Sequence, residues 1–225
     1  RLLRALQEGL DLNGGAYLPH SCISRIVPLG SGGFELYSGG RLVAGCDKLV
    51  IAAGHGAGDL AAQLGLAVPV SPVQGQIVVT ERSVNSLAYP TNYVRQTDEG
   101  SVMLGPSARD VGFDLDTQTS TLRNIVRQCT RAFPYLRDLR IQRSWAALRI
   151  MTPDGFPVYA QSAPFPGAFS FSCHSGVTLA AVHAQELPQW VTDGRIPGAY
   201  PCFFPFFFPL PSLSSPPPPS LFLLS

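Results

Sequence analysis

Two stretches of the chain are built alike. KLVIAAGHGAGDLAAQLG, residues 48–65, and FSFSCHSGVTLAAVHA, residues 169–184, each pass from a short apolar run through a glycine-bearing turn into a segment of small, helix-forming residues. Short apolar runs rich in branched and aromatic residues read as buried strands, and a strand turning tightly into a helix is the unit from which helix-covered sheets are made. With one unit toward each end and a strand-rich middle, the chain is expected to be an α/β fold (an α+β mix) carrying an inserted module.

Strands are expected over 16–25, 48–53, 76–81, 141–151, 156–160 and 168–173. Hairpins are expected at 33–37 with 41–44 and at 93–96 with 101–104, across Ser38-Gly39-Gly40 and Asp98-Glu99-Gly100. Thr152-Pro153-Asp154-Gly155 reads as a turn. The clearest helix repeats Leu122, Ile125, Val126, Cys129, Ala132 and Phe133 at a 3.6-residue period and is stopped by Pro134. Others are expected near 59–64 and from about 177, the latter ended or kinked by Pro188. Leu2, Leu3, Leu6 and Leu10 share a face of an opening helix that Asn13-Gly14-Gly15 stops. The chain begins with Arg1 and already inside that pattern, so residues are expected upstream; no signal peptide is visible.

The net charge is +1, which gives no bulk attraction to nucleic acid or to an anionic membrane. The five cysteines are widely spaced with no C-x-x-C, which argues against a disulfide framework or zinc site, and suits a reducing, cytoplasmic setting. No metal site is expected. Residues 196–225 carry no charge, and nine prolines between Pro197 and Pro219 interrupt any membrane-spanning helix. This tail reads either as a Pro-rich recognition segment or as a disordered stretch without a selected fold.

Three stretches carry candidate chemistry. At 48–65 the glycines permit close approach of a phosphate or ring to backbone N–H groups, although a tight turn with no ligand fits equally, and G-x-G-x-x-G is not matched because Asp59 takes the third place. At 169–184 Gly176 and the following amides suit an electron-rich ligand edge. A Cys173–His174 nucleophile pair is disfavoured because neighbours in a strand face opposite ways. A Ser175 nucleophile lacks its motif. Ser175 as a plain helix cap remains open. At 143–159 (RSWAALRIMTPDGFPVY), Trp145, Ala147, Arg149 and Met151 share one strand face. An arginine on an apolar face needs an anion, supplied either by a buried Asp or Glu or by a ligand carboxylate matched to its planar fork. His20 and His183 stand alone.

In order and spacing, VIAAG (50–54), LGLAVPVSPVQGQIVVTE (64–81), GSVMLGPSARDVGFD (100–114), W-x-x-L-R-x-M-T-P-D-G-x-P (145–157) and HSGVTLA (174–180) resemble the FAD-dependent amino-acid oxidase and dehydrogenase family, which includes glycine oxidase, sarcosine oxidase and D-amino-acid dehydrogenase. The wording is nearest the opine-oxidase and cyanide-synthase branch. The resemblance covers about residues 1–195. It implies an FAD-binding part with an inserted antiparallel-sheet substrate domain. It places Ile23 at the FAD adenine side, Ala53, Gly54 and His55 along the flavin nucleotide, and Gly176, Val177 and Thr178 at the flavin pyrimidine edge. It makes Arg149 the clamp on a substrate carboxylate, helped by Tyr93, and sets His174 by flavin and substrate in a catalytic role. A hydride would pass from the substrate carbon to flavin N5 and the imine would hydrolyse. Some relatives bind flavin through a cysteine; the matching position is Ala147, which implies noncovalent FAD.

The family opens on a β-α-β unit with G-x-G-x-x-G, which this sequence does not show. The expected division is therefore 1–73 and 152–196 as parts of an FAD-binding domain, 74–151 as substrate domain, and 197–225 as tail. The partners expected are a small amino acid or amine and, by the branch resemblance, another oxidoreductase subunit in a hetero-oligomer. The competing expectations are an inactive remnant of the family and an interaction fragment working through its Pro-rich tail.

Overall fold

The computed structural model describes residues 2–85 and 87–197; the tail expected at 197–225 lies, but for Pro197, outside the described residues. The chain divides into two compact units. Ser71–Met151 forms one, and the described residues on both sides of it form the other. The inserted unit thus opens at Ser71, where 74 was expected.

The flanking unit holds helix α1 (Leu2–Leu12) and an antiparallel sheet of β1 (Arg25–Pro28), β2 (Phe34–Ser38) and β3 (Arg41–Cys46). A second sheet has the order β4 (Leu49–Ile51), β10 (Ala168–Ser172), β9 (Val158–Gln161). Here β4 and β10 run parallel, with Leu49 opposite Ala168 and Ile51 opposite Ser170, while β9 is antiparallel to β10. Helices α2 (Ala57–Ala62) and α4 (Ala180–Asp193) complete the unit. Its core gathers Ile23, Ile26, Phe34, Leu36, Leu49, Ile51, Leu60 and Leu64.

Several expectations in this unit are corrected. Residues 16–24 form no strand: Pro19 lacks an N–H and His20 takes a left-handed φ of 59°, so the strand starts only at Arg25. The first glycine turn winds as a short 3-10 turn, Gly54–Gly56, which starts α2 at Ala57 and ends it at Ala62, ahead of the 59–64 expected. Helix α4 starts at Ala180 rather than about 177, and its N-cap is Leu179 with no side-chain cap, which removes the Ser175 cap reading. The branched Val177 and Thr178 are poor helix starters. Pro188 does not end α4: it is exposed, so water can serve the carbonyl it leaves unpaired.

The inserted unit is an antiparallel sheet ordered β6 (Val94–Gln96), β7 (Ser101–Leu104), β5 (Ser71–Arg82), β8 (Ile141–Met151). Helix α3 (Thr119–Ala132) joins the core of Val78, Val94, Val102, Leu104, Ile125, Cys129 and Leu136. Strand β5 is longer than the expected 76–81, and Pro72 fits at its start beyond the pairing with β7. Alternation leaves Val73, Gly75 and Ile77 on the opposite face of the sheet, beside Arg149, Ala147 and Trp145 of β8. On the core side Gln74 and Gln76 are fully buried. Gln76 Nε2 donates to Gln74 Oε1 at 2.9 Å, Gln74 Nε2 donates to the Asp114 carbonyl at 2.8 Å, and Gln76 Oε1 accepts from the Gln118 N–H at 3.1 Å. The two amides pin the segment before α3 to the sheet.

Candidate functional site

Because β4 and β10 are parallel neighbours, the turns that follow them leave from the same edge of one sheet. That edge is where open α/β sheets receive ligands. It brings together Ala53, Gly54 and His55 after β4 with His174, Gly176, Val177 and Thr178 after β10. Gly54 has a φ of +58°, which lets the chain leave β4 sharply. Residues 174–178 are exposed. Among the described residues the N–H groups of Gly176, Val177 and Thr178 meet no backbone carbonyl; the first bond of the coming helix is from the Leu179 N–H to the Ser175 carbonyl at 2.9 Å. Three adjacent donors without a backbone acceptor, on an exposed turn that opens with a glycine, suit an electron-rich ligand edge such as a flavin presents.

His174 is exposed, with Nδ1 3.3 Å from the Ser175 hydroxyl. Burial pushes the Cys173 thiol up from its ordinary value, so the thiolate that a nucleophile needs is disfavoured. Ile23 is 7 % exposed and belongs to the core, which gives its side chain a packing role. Beneath α4 the same unit has a largely apolar cleft of about 530 Å³ lined by Val50, Ala52, Phe171, Cys173 and Leu187. Tyr159 and His183, missed in the sequence as a pair, also line it and share a 2.6 Å hydrogen bond.

In the inserted unit, Arg149 projects from β8 on the face away from the buried core. Its guanidinium lies over Gly75 and donates through Nη1 to the Ser107 carbonyl at 2.8 Å. No buried carboxylate pairs with it among the described residues, so a carbonyl stands where Asp or Glu had been the alternative. Tyr93 is 55 % exposed and precedes β6 at the other edge of the sheet. It lines a shallow pocket of about 200 Å³ with Ile77, Arg95, Met103 and Gly105. The register places Tyr93 beside Gly105 and Arg149 opposite Val73. The two backbones stand at opposite edges of the sheet, but the Arg149 guanidinium reaches across β5 to the Ser107 carbonyl, two residues beyond the Gly105 that bonds to Tyr93. Gly75 and Ser107 are the site residues that sequence reading missed. A lone glycine within the branched run of β5 was the available signal, since such a glycine marks close approach.

No described helix is long and apolar enough to cross a membrane. The family model for FAD dependent oxidoreductases matches residues 1–190. The chain is 36% identical over 196 residues to an opine oxidase subunit of Agrobacterium tumefaciens (strain Ach5), covering 87% of this chain and 52% of that protein. It is 29% identical to the hydrogen cyanide synthase subunit HcnC of Pseudomonas aeruginosa, over 88% of this chain and 49% of that one. Among solved structures, glycine oxidase from Bacillus cereus ATCC 14579 superposes with a TM-score of 0.77 at 17% identity, over 87% of this chain and 56% of that one. Iminodiacetate oxidase from Chelativorans sp. BNC1 gives 0.75 at 22% identity, over 91% and 58%. The chain spans about half the length of the curated relatives it matches. With its parallel strand pair, its glycine turns and its match across residues 1–190, the chain belongs to the FAD dependent oxidoreductase family.

Proposed function

We propose that this chain is part of an FAD-dependent oxidoreductase that oxidises the C–N bond of an amino acid or related secondary amine and holds its flavin noncovalently. The observation that carries the reading is the row of unpaired N–H groups at Gly176, Val177 and Thr178, beside the Ala53–Gly54–His55 turn at one sheet edge. Those amides would stabilise negative charge gathering at a flavin edge. Bound FAD would accept the hydride as the substrate C–H bond breaks, the nitrogen losing a proton and water then hydrolysing the imine. Arg149 would hold the substrate carboxylate, and the exposed Tyr93 and His174 are further candidates for substrate contact. Ala147 leaves no thiol at its position on β8 for a flavin link. The names of the relatives, opine oxidase and hydrogen cyanide synthase subunits, favour a small amino-acid or amine substrate and a second, different chain as partner.

The test uses the longest native protein that contains this chain. It should copurify with a yellow chromophore absorbing at about 450 nm that acid or denaturant releases. An amino acid or secondary amine should bleach it anaerobically, and Arg149→Ala should raise KM far more than it lowers kcat. A protein that stays colourless with FAD added in excess would sink the proposal, and a coloured protein that no such substrate bleaches would leave an inactive family member.

A further inference from the structure

We infer that Gly75 is a positioning residue for Arg149: its missing side chain is the slot across which the guanidinium reaches the Ser107 carbonyl, leaving the Nε–Nη2 edge of the fork to meet a planar carboxylate. The inference rests on the reading that Arg149 takes the ligand's carboxylate, and sharpens it.

A Cβ placed on Gly75 would stand 2.5 Å from Arg149 Nη2, 2.6 Å from Nη1 and 2.7 Å from Cζ. Cζ is the farthest of the three, so the position of that Cβ lies against the Nη1–Nη2 end of the guanidinium. Gly75 pairs with Ala147 of β8, two residues before Arg149. Ser107 lies on the other side of β5, in the stretch that continues β7. That stretch is fastened there by the Gln76 N–H donating to Ser107 Oγ at 2.9 Å, and by Gln74 and Arg109 exchanging backbone bonds at 2.9 and 3.0 Å. Arg149 therefore crosses a whole strand to donate to the Ser107 carbonyl, and any side chain at position 75 would occupy its path. Of five guanidinium N–H groups, this bond uses one. Among the described residues the others have no protein partner. With Nη1 tied down, the Nε–Nη2 pair is the edge left in the fork geometry that a carboxylate fits.

The experiment titrates the full 225-residue chain, labelled with 15N-arginine, with benzoate, benzenesulfonate and benzamide while following the Arg149 Nε–H resonance. Benzoate should move it, neutral benzamide should not, and the non-planar sulfonate should bind more weakly. Gly75→Ala should keep the urea midpoint, shift the free Nε–H resonance and weaken benzoate binding by about tenfold. Benzoate affinity within about twofold of wild type in Gly75→Ala, with loss in Arg149→Lys, overturns the positioning role alone. Unchanged benzoate binding in Arg149→Lys overturns the carboxylate reading beneath it. Equal binding of benzoate and benzenesulfonate overturns the planar fork. If Gly75→Ala does not fold, the Gly75→Ala, Arg149→Ala double variant decides: recovery of the fold locates the clash at the guanidinium, and failure to recover overturns the inference.

Discussion

The Tyr159 hydroxyl and His183 Nε2 lie 2.6 Å apart beneath α4, with the two rings edge to face at a centroid distance of 5.6 Å. Burial lowers the His183 pKa from its ordinary value and, acting with the nearby Cys173, raises that of Tyr159 to about 12. Both shifts favour the neutral forms, and each has a sign in pH. The unfolded chain takes up the His183 proton first, so its contribution is complete above the ordinary value of 6.5 and is lost as pH falls through the lowered folded value. Tyr159 contributes fully below 10.0 and is lost as pH rises toward about 12. Urea midpoints followed by Trp190 fluorescence in a Trp145→Phe background should fall on both sides of neutrality. His183→Phe should flatten the acid limb and leave the alkaline one; an unchanged acid limb would refute the assignment.

Lys48, the only lysine of the chain, donates through Nζ to the Val191 and Thr192 carbonyls, both at 2.6 Å. These are last-turn carbonyls of α4, where a positive charge also meets the negative end of the helix dipole. Lys48→Met should destabilise the flanking unit by about 1 kcal/mol, and high salt should shrink the difference. A midpoint identical to wild type at low salt would show that water serves those carbonyls as well.

The inserted unit depends in the same way on Gln74 and Gln76. Replacing Gln76 with Leu leaves the Gln118 N–H without its acceptor, and replacing Gln74 with Leu strands the Asp114 carbonyl. Each change should cost about 1–3 kcal/mol, since it also takes a partner from the amide of the other, fully buried glutamine. The double variant should cost less than the sum of the two, because the amides bond to each other at 2.9 Å. Chemical denaturation of the four proteins measures the coupling, and strict additivity would deny the network.

How far the sequence disclosed this molecule depended on how local each cause was. Strand β8 was expected at 141–151 and runs Ile141–Met151, because alternation along one strand encodes its own pairing. The period of α3 and the 101–104 strand were legible for the same reason. His20 was not, since a left-handed residue in a non-glycine loop leaves no compositional mark. Both glycine turns were visible, but their lying on one edge follows from the parallel pairing of strands more than a hundred residues apart. Arg149 declared its need for a partner. That the partner is a carbonyl reached across Gly75 comes from three strands meeting, which no single run of residues records.

Gly176 separates a role in binding from a role in folding. A Cβ there would find its nearest neighbour, Cys173 Sγ, at 3.7 Å, an ordinary contact, and its φ is not in the left-handed region. The protein itself therefore has room for alanine. If a flavin edge approaches the turn at the bare backbone of Gly176, the added methyl stands in the way of that approach. In the native protein containing this chain, Gly176→Ala should leave the urea midpoint where it is and weaken FAD binding, read by quenching of flavin fluorescence, by about tenfold. Val177→Ala, which keeps its N–H, should bind as wild type does. An unaltered flavin affinity in Gly176→Ala would move the cofactor away from this turn, since nothing in the fold itself forbids the methyl.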